Sequence, residues 1–335
     1  MTPYQISPFY FPSTVMLVDD NIDFLKNLSL KLDPRLAFRL YDSPVDALVK
    51  LNGTNNQTAP VRRFFSRYYE TEDLPPAHHV IDVNLGNIHR EVYNECRFEQ
   101  VSVVVVDYDM PNINGIEFCK NIKNPDIMKV LLTGKADEKI AVDAFNDGCI
   151  HCYITKQDKD VISKLNQAIA ELQRAYFSQT ERLLADALAI GKPAFLRDPV
   201  FAGKFREICD KLHIVEYYLC GAPDSILMLD ADGASSLLII QNEDAHVGQY
   251  EIAYDQGAPQ ALLDALKSNR VVSYFWRNEG YYIPECHNWQ DFLYPATEFK
   301  GEHWYCYTIV KNPQLFKTHT VLSYNKFLDE LDQRK

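Results

Sequence analysis

One stretch limits what this chain can fold into more than any other. It is VVVVDYDMPNING, Val103 to Gly115, where four valines run straight into an aspartate. An apolar run without alternation is the mark of a strand covered on both faces. Such strands belong to parallel sheets, and parallel neighbours need helical crossovers. The first half of the chain supplies them. Thr14–Val18 reads as a strand that stops at Asp19 and Asp20. Ile22, Leu25, Leu28 and Leu32 then keep helical spacing behind a capping Asn21 or Asp20. Residues 37–42 read as a second strand, and Ser43-Pro44 opens a second helix. A strand at 101–106, a helix at 115–123, a strand at 129–133, a helix at 138–148 and a strand at 149–155 complete the pattern. The alternation predicts a doubly wound, five-stranded parallel sheet.

The 335 residues leave room for a second domain. A net charge of -12 disfavours non-specific binding to DNA or to an anionic membrane, which needs a positive face. The N-terminal residues MTPYQISPFYFPS do not read as a signal peptide. No window approaches the roughly 18–20 apolar residues of a membrane span. The expectation is a cytoplasmic protein whose eight scattered cysteines are reduced structural thiols.

In an open α/β sheet, chemistry sits at the carboxyl ends of the strands. Asp19 and Asp20 end the first strand and Asp107 the third; Thr133 ends the fourth, and Lys156 follows the fifth. With strand order 2-1-3-4-5 these side chains converge on one pocket. Three close carboxylates repel one another unless a cation joins them, and oxygen ligands suit Mg²⁺. Lys156 adds a point charge for an anion, and Thr133 a hydroxyl. The set suits phosphoryl transfer onto Asp107.

The motifs LVDDN, DYDMPNING, LLTGK and YITK resemble those of the receiver domain of two-component response regulators. The resemblance covers residues 14–177 apart from an insertion at about 52–100. It implies a flavodoxin-like receiver whose Asp107 takes phosphate from the phosphohistidine of a sensor histidine kinase or phosphotransfer protein. Asp19, Asp20 and Asp107, with the Asp109 carbonyl, would hold Mg²⁺. Lys156 would pair with the phosphate and Thr133 would reach it. Gly134 would leave room for it, and Tyr153 would be the rotameric switch. The family has proline after the lysine, in a cis bond, where this chain has Gln157. A non-proline cis bond costs about 2.5–4 kcal/mol, which favours a trans bond and a differently placed lysine. The insertion and the unusual second half also resemble the quorum-sensing response regulators of α-hydroxyketone signalling systems.

The insertion holds Arg62-Arg63-Phe64-Phe65-Ser66-Arg67-Tyr68-Tyr69. This reads as an amphipathic helix packed on the receiver, or else as a partner- or nucleic-acid-binding patch. His78, His79 and His89 have no spacing that fixes a metal site. Residues 158–191 read as one long helix that falters at Ser178–Thr180, suited to linking or dimerising. The expected division is a receiver at 1–177, a linker helix at 178–194 and an α+β output domain with an antiparallel sheet at 195–335. Within the last, APQALLDALKS reads as a helix and VVSYFWRNEGYYIP as β-rich. SILMLDADGASSLLIIQ reads as a hairpin, with a turn at Asp230–Gly233.

Cys149 and Cys152 fall in a predicted strand with opposite orientations, which argues against a shared metal. Cys286, His287, His303 and Cys306 are zinc ligands by type but irregular in spacing. Residues 195–335 carry 13 Lys/Arg against 20 Asp/Glu, with no helix-turn-helix pattern and no signature of a cyclic-dinucleotide enzyme. The favoured expectation is therefore a non-enzymatic interaction module that binds a partner protein. Phosphorylation would switch a homodimer formed through the receiver face and the 158–190 helix. The alternative is an output that binds nucleic acid or processes nucleotides. Asp230, Asp232 and Glu243 would be its acidic candidates, and Arg62, Arg63 and Arg67 its phosphate contacts.

Overall fold

The apolar runs of the first half become strands in a computed structural model that describes residues 6–53, 64–68, 80–83, 85–134, 138–188, 194–221, 224–278, 280–316 and 320–333. A short β1 (Phe9–Tyr10) precedes β2 (Thr14–Val18). Helix α1 (Ile22–Ser29) starts at Asn21, whose side chain accepts the Phe24 N–H. After β3 (Phe38–Tyr41), α2 (Pro44–Leu51) has Ser43 as its cap and proline in its first turn, where the missing N–H costs nothing. Next come β4 (Phe65–Tyr68), β5 (Val80–Val83) and α3 (Leu85–Arg90). The regular alternation resumes with β6 (Val101–Asp107), α4 (Gly115–Lys120), β7 (Met128–Thr133), α5 (Glu138–Asn146), β8 (Cys152–Thr155) and the 28-residue α6 (Val161–Leu188).

β3, β2, β6, β7 and β8 lie side by side in that order, every pair parallel. This is the expected 2-1-3-4-5 sheet. Every residue of β2 and β6 is buried, so neither strand needs to alternate. Met16, Val18, Val104, Val106 and Leu131 form one core with Phe118, Ile122, Ala141 and Ile150.

The second half continues with α7 (Pro199–Lys211), β9 (Ile214–Cys220), β10 (Ser225–Asp230), β11 (Ser235–Asn242), α8 (Glu243–Asp255) and α9 (Gln260–Lys267). It ends with β12 (Val271–Ser273), β13 (Leu293–Pro295), β14 (Thr297–Lys300), β15 (Trp304–Lys311) and α10 (Tyr324–Gln333). Its six-stranded sheet, ordered β1-β9-β10-β11-β15-β14, is antiparallel throughout. The expected hairpin is β10–β11, closed at Gly233 with a φ of 85°.

Chain contacts divide the molecule into two units. The parallel-sheet unit gathers Pro12–Arg63, Cys96–Ala185 and Leu328–Lys335; the antiparallel-sheet unit gathers Met1–Phe11, Phe64–Glu95 and Asp186–Phe327. The expected boundaries put the first residues and the insertion with the receiver. Instead, Phe9 and Tyr10 pair with Tyr218 and Tyr217 of β9, and α3 packs beside β9.

Four local expectations are corrected. Within the run at 62–69, expected as an amphipathic helix, Phe65–Tyr68 is a strand that pairs antiparallel with Val80–Val83, as aromatic residues favour. Arg62, Arg63, Tyr69, His78 and His79 lie outside the described residues, as does the Arg67 side chain. The strand expected at 149–155 begins only at Cys152, so Cys149 precedes it; both cysteines are free. The long helix does not falter at Ser178, whose hydroxyl donates to the Ala175 carbonyl at 3.1 Å instead of disturbing the backbone. In VVSYFWRNEGYYIP only Val271–Ser273 is a strand, with a lone Phe275–Gly280 bridge beyond it.

Candidate functional site

Parallel register brings the strand tips to one level. Val18 pairs with Val106, Asp107 with Leu132, and Thr133 with Thr155. The residues at and just past these tips meet. Carboxylate oxygens of Asp19, Asp20 and Asp107 all lie within 4.8 Å of one another. Asp19 and Asp107 are 1% and 6% exposed, whereas Asp20 is exposed. The Asp19 carboxylate also accepts the Asn21 N–H at 2.9 Å, which ties the start of α1 to the site.

Lys156 Nζ lies 2.7 Å from Asp19 Oδ2 and 2.9 Å from Asp107 Oδ1. It also sits 4.3 Å above the Phe24 ring. Lys156 thus reaches both acids with Gln157, in place of proline, behind it. The turn behind it is held by Lys156 N–H to Thr133 O and Asp158 N–H to Thr155 O. Burial pushes the Asp107 carboxyl above its ordinary value, and its contact with Lys156 pulls it back only in part. For Lys156, burial alone would favour the neutral amine. Its hydrogen bonds to Asp19 and Asp107 outweigh that and hold it above its ordinary value.

The loop after Asp107 explains the glycine eight residues on. A Cβ on Gly115 would stand 2.3 Å from the Asp107 carbonyl oxygen and 2.7 Å from Leu131 Cδ1. The Gly115 N–H donates to Tyr108 O at 2.9 Å. Asn114 and Glu117 form a reciprocal capping box at the start of α4, and Asn112 takes a φ of 68° to enter it. Asp109 lies in this loop with its side chain exposed.

Thr133 is fully buried, and its hydroxyl donates to the Gly134 carbonyl at 3.1 Å. Tyr153 is half-buried on β8, edge-on to Phe145 with ring centroids 6.4 Å apart. The structure thus brings Asp19, Asp20, Asp107 and Lys156 together, with Thr133 at the neighbouring strand tip. Two contributors escaped the sequence reading. Phe24 is an aromatic one helical turn after the acidic pair, which is a usable signal. The contact that requires glycine at 115 depends on a non-local approach that no spacing reveals.

Other sequence candidates are not assembled. Among the described residues, Asp19, Asp20 and Asp107 form the one metal-like group of three or more acidic, histidine or cysteine side chains. Cys286, His287, His303 and Cys306 do not meet, and Cys306 is buried in β15. Asp230 accepts the N–H groups of Asp232 and Ala234 at 3.0 and 2.8 Å, and Asp232 accepts from Asn325. Glu243 belongs to the first turn of α8.

Comparison with known proteins points the same way. Residues 77–169 match the family model described as the response regulator receiver domain. The solved structure of the Legionella pneumophila response regulator LqsR aligns with a TM-score of 0.79 and 38% identity. That alignment covers 99% of this chain and 98% of that one. A curated Bacillus subtilis (strain 168) protein, the uncharacterized transcriptional regulatory protein YesN, is 31% identical over 88 residues. The match takes in 25% of this chain and 24% of YesN, so the chain spans about a quarter of that relative's length.

Proposed function

The chain belongs to the response regulators, the family of the Legionella protein it matches along its whole length, and from that premise we propose that Asp107 is its phosphoacceptor. The observation that carries this reading is the lysine bridge, Lys156 Nζ within 2.9 Å of both Asp107 and the neighbouring Asp19. A lysine shared by two buried carboxylates at parallel strand tips is poised to follow negative charge as it moves outward onto a phosphoryl group.

The phosphodonor is the phosphohistidine of a sensor histidine kinase or phosphotransfer protein. An Asp107 carboxylate oxygen attacks phosphorus; the O–P bond forms as the P–N bond breaks, and the departing imidazole takes up a proton. The donor set fits Mg²⁺. Three carboxylates against one ammonium leave an excess of negative charge that a divalent cation would match, and oxygen ligands are what Mg²⁺ prefers. Asp19, Asp20 and Asp107, with the Asp109 carbonyl, would hold it. When bound it neutralises charge on the transferring phosphoryl oxygens.

Lys156 then pairs with the phosphoryl group. The Thr133 hydroxyl exchanges the Gly134 carbonyl for a phosphoryl oxygen, with Gly134 leaving the room it needs. Tyr153 follows by changing rotamer against Phe145. The result is read through self-association, by the receiver face and the 158–190 helix, and through an α+β second half that binds a partner protein. The quorum-sensing context belongs to this proposal. No described helix is long and apolar enough to cross a membrane.

The test is sedimentation with Mg²⁺, with and without beryllofluoride, which mimics the acyl phosphate. The expected result is a mass shift for the wild type and none for Asp107→Asn. A shift in both proteins would remove Asp107 from the role. No shift in either would remove self-association as the readout. A stoichiometric nucleic-acid complex with steep salt dependence would favour the other output reading, a nucleic-acid-binding or nucleotide-processing domain.

A further inference from the structure

The strand-tip site holds Lys156 in a closed circuit of contacts. Asp19 Oδ1 accepts the Asn21 N–H at 2.9 Å, and Asn21 Oδ1 accepts the Phe24 N–H at 2.9 Å. The centroid of the Phe24 ring lies 4.3 Å from Lys156 Nζ. Lys156 Nζ returns to Asp19 Oδ2 at 2.7 Å and reaches Asp107 Oδ1 at 2.9 Å. The two oxygens of one buried carboxylate thus anchor both ends of the circuit, one through the start of α1 and the other through the lysine. Every member lies in the parallel-sheet unit.

Core packing does not account for an aromatic residue at 24. Phe24 is only half-buried, unlike its neighbour Leu25, which is 1% exposed. Its ring is the third neighbour of an ammonium that has three N–H donors, two of them taken by Asp19 and Asp107. The lysine side chain keeps 26% of its surface exposed, so water competes for the head group. A ring face within about 6 Å attracts a cation through its quadrupole, more strongly as water is excluded. An aliphatic side chain at 24 would cover the lysine stem without that attraction.

We propose that Phe24 is a positioning residue of the phosphoryl-transfer site, whose ring face keeps the Lys156 ammonium turned toward Asp107 before the phosphodonor arrives. The proposal rests on the reading of Asp107 as the phosphoacceptor and adds to it a control on the rate of uptake. With the ring in place the orientation of the lysine is settled in advance, and the transfer starts from a prepared site. Without it the ammonium turns to solvent part of the time, and fewer molecules are ready when the donor docks. Phe24 acts through the lysine, so its contribution follows the electron density of the ring and not its bulk alone.

The test replaces Phe24 in the full chain with leucine, with tyrosine, and with phenylalanine analogues of rising fluorine content, which drain the ring face while keeping its shape. Phosphate uptake from acetyl phosphate with Mg²⁺ should slow about fivefold in Phe24→Leu, the scale of one cation–ring contact. It should stay near the wild-type rate in Phe24→Tyr and slow stepwise along the fluorinated series. That gradient separates the ring's electrostatics from a folding defect. The resting geometry is read without metal or phosphodonor. In the wild type, the ring current should move the Lys156 Cε proton signals upfield, and Phe24→Leu should return them to the position of a free lysine. Level uptake across the fluorinated series, or a Lys156 signal unmoved by Phe24→Leu, would overturn the proposal and leave Asp107 its role. No uptake by the wild type would overturn the phosphoacceptor reading and this proposal together.

Discussion

Asp107 and Asp230 both close a strand of a well-packed sheet, and their carboxylates meet different surroundings. Asp230 accepts two backbone N–H groups and shapes the turn from β10 to β11. Asp107 faces two other carboxylates and a lysine. The difference comes from strand direction. In the parallel sheet, β2, β6, β7 and β8 present their carboxyl ends at one edge, so side chains far apart in sequence converge. In the antiparallel sheet, neighbours point opposite ways. An acid at a strand end there meets the backbone of the next turn instead of another acid. Asp198, at a helix start and not a strand end, likewise meets backbone N–H groups: it caps α7 through Val200 and Phe201 and accepts the Glu302 N–H as well. A strand-tip aspartate gains charged neighbours through the company its topology brings.

The sharpest way to break this contrast is to exchange each acid for its amide. Asp107→Asn should abolish phosphate incorporation from acetyl phosphate with Mg²⁺, whereas Asp230→Asn should incorporate it at the wild-type level. The same pair separates in acid. Because burial raises the folded-state value of Asp107, the folded protein binds that proton more tightly than the unfolded chain does. Without divalent metal, stability should therefore gain as pH falls through the folded value toward the ordinary 3.8. Melting temperatures measured against pH should show this gain diminished in Asp107→Asn and retained in Asp230→Asn.

Next in size is Lys156→Ala, which leaves Asp19 and Asp107 uncompensated. Breaking a buried pair by removing one partner costs about 3–5 kcal/mol, and the partial exposure of this lysine sets the loss near 3. Urea unfolding without metal should show it, and added Mg²⁺ should restore part. Failure of Mg²⁺ to stabilise this variant would count against the three carboxylates as its site.

Two glycines give the smaller effects, with opposite signs. Gly115→Ala forces a carbon against the Asp107 carbonyl and should cost about 1–3 kcal/mol while slowing phosphate uptake. Gly203→Ala, inside α7 with nothing within 4 Å of the added carbon, should stabilise by about 0.5–1 kcal/mol. Denaturant midpoints for both variants test the pair.

The parallel sheet was legible because its information is local. A doubly covered strand is apolar throughout, and the acid at its tip follows at once. Asn21 and Ser43 cap the helices their positions suggest. The antiparallel sheet was legible only where a turn sat between two apolar runs, as at Asp230–Gly233. β9 alternates imperfectly, and α8 mixes apolar and charged residues around its circumference; neither stands out by periodicity. The insertion misled because RRFFSRYYE has amphipathic spacing, while its aromatics favour an extended pair whose partner lies more than ten residues away.

The brief β1 carries a consequence for modularity. It lies three residues before the first strand of the parallel sheet, yet it is the edge of the other one. Each unit is assembled from three separate stretches of chain. A regulator built as beads on a string can trade its output by recombination at one linker. Here a cut anywhere between 186 and 194 would part Phe9 and Tyr10 from β9, with which they pair, and would leave Phe64–Glu95 on the other fragment from the stretch with which it is grouped. Swapping the halves of this protein is therefore a three-part graft.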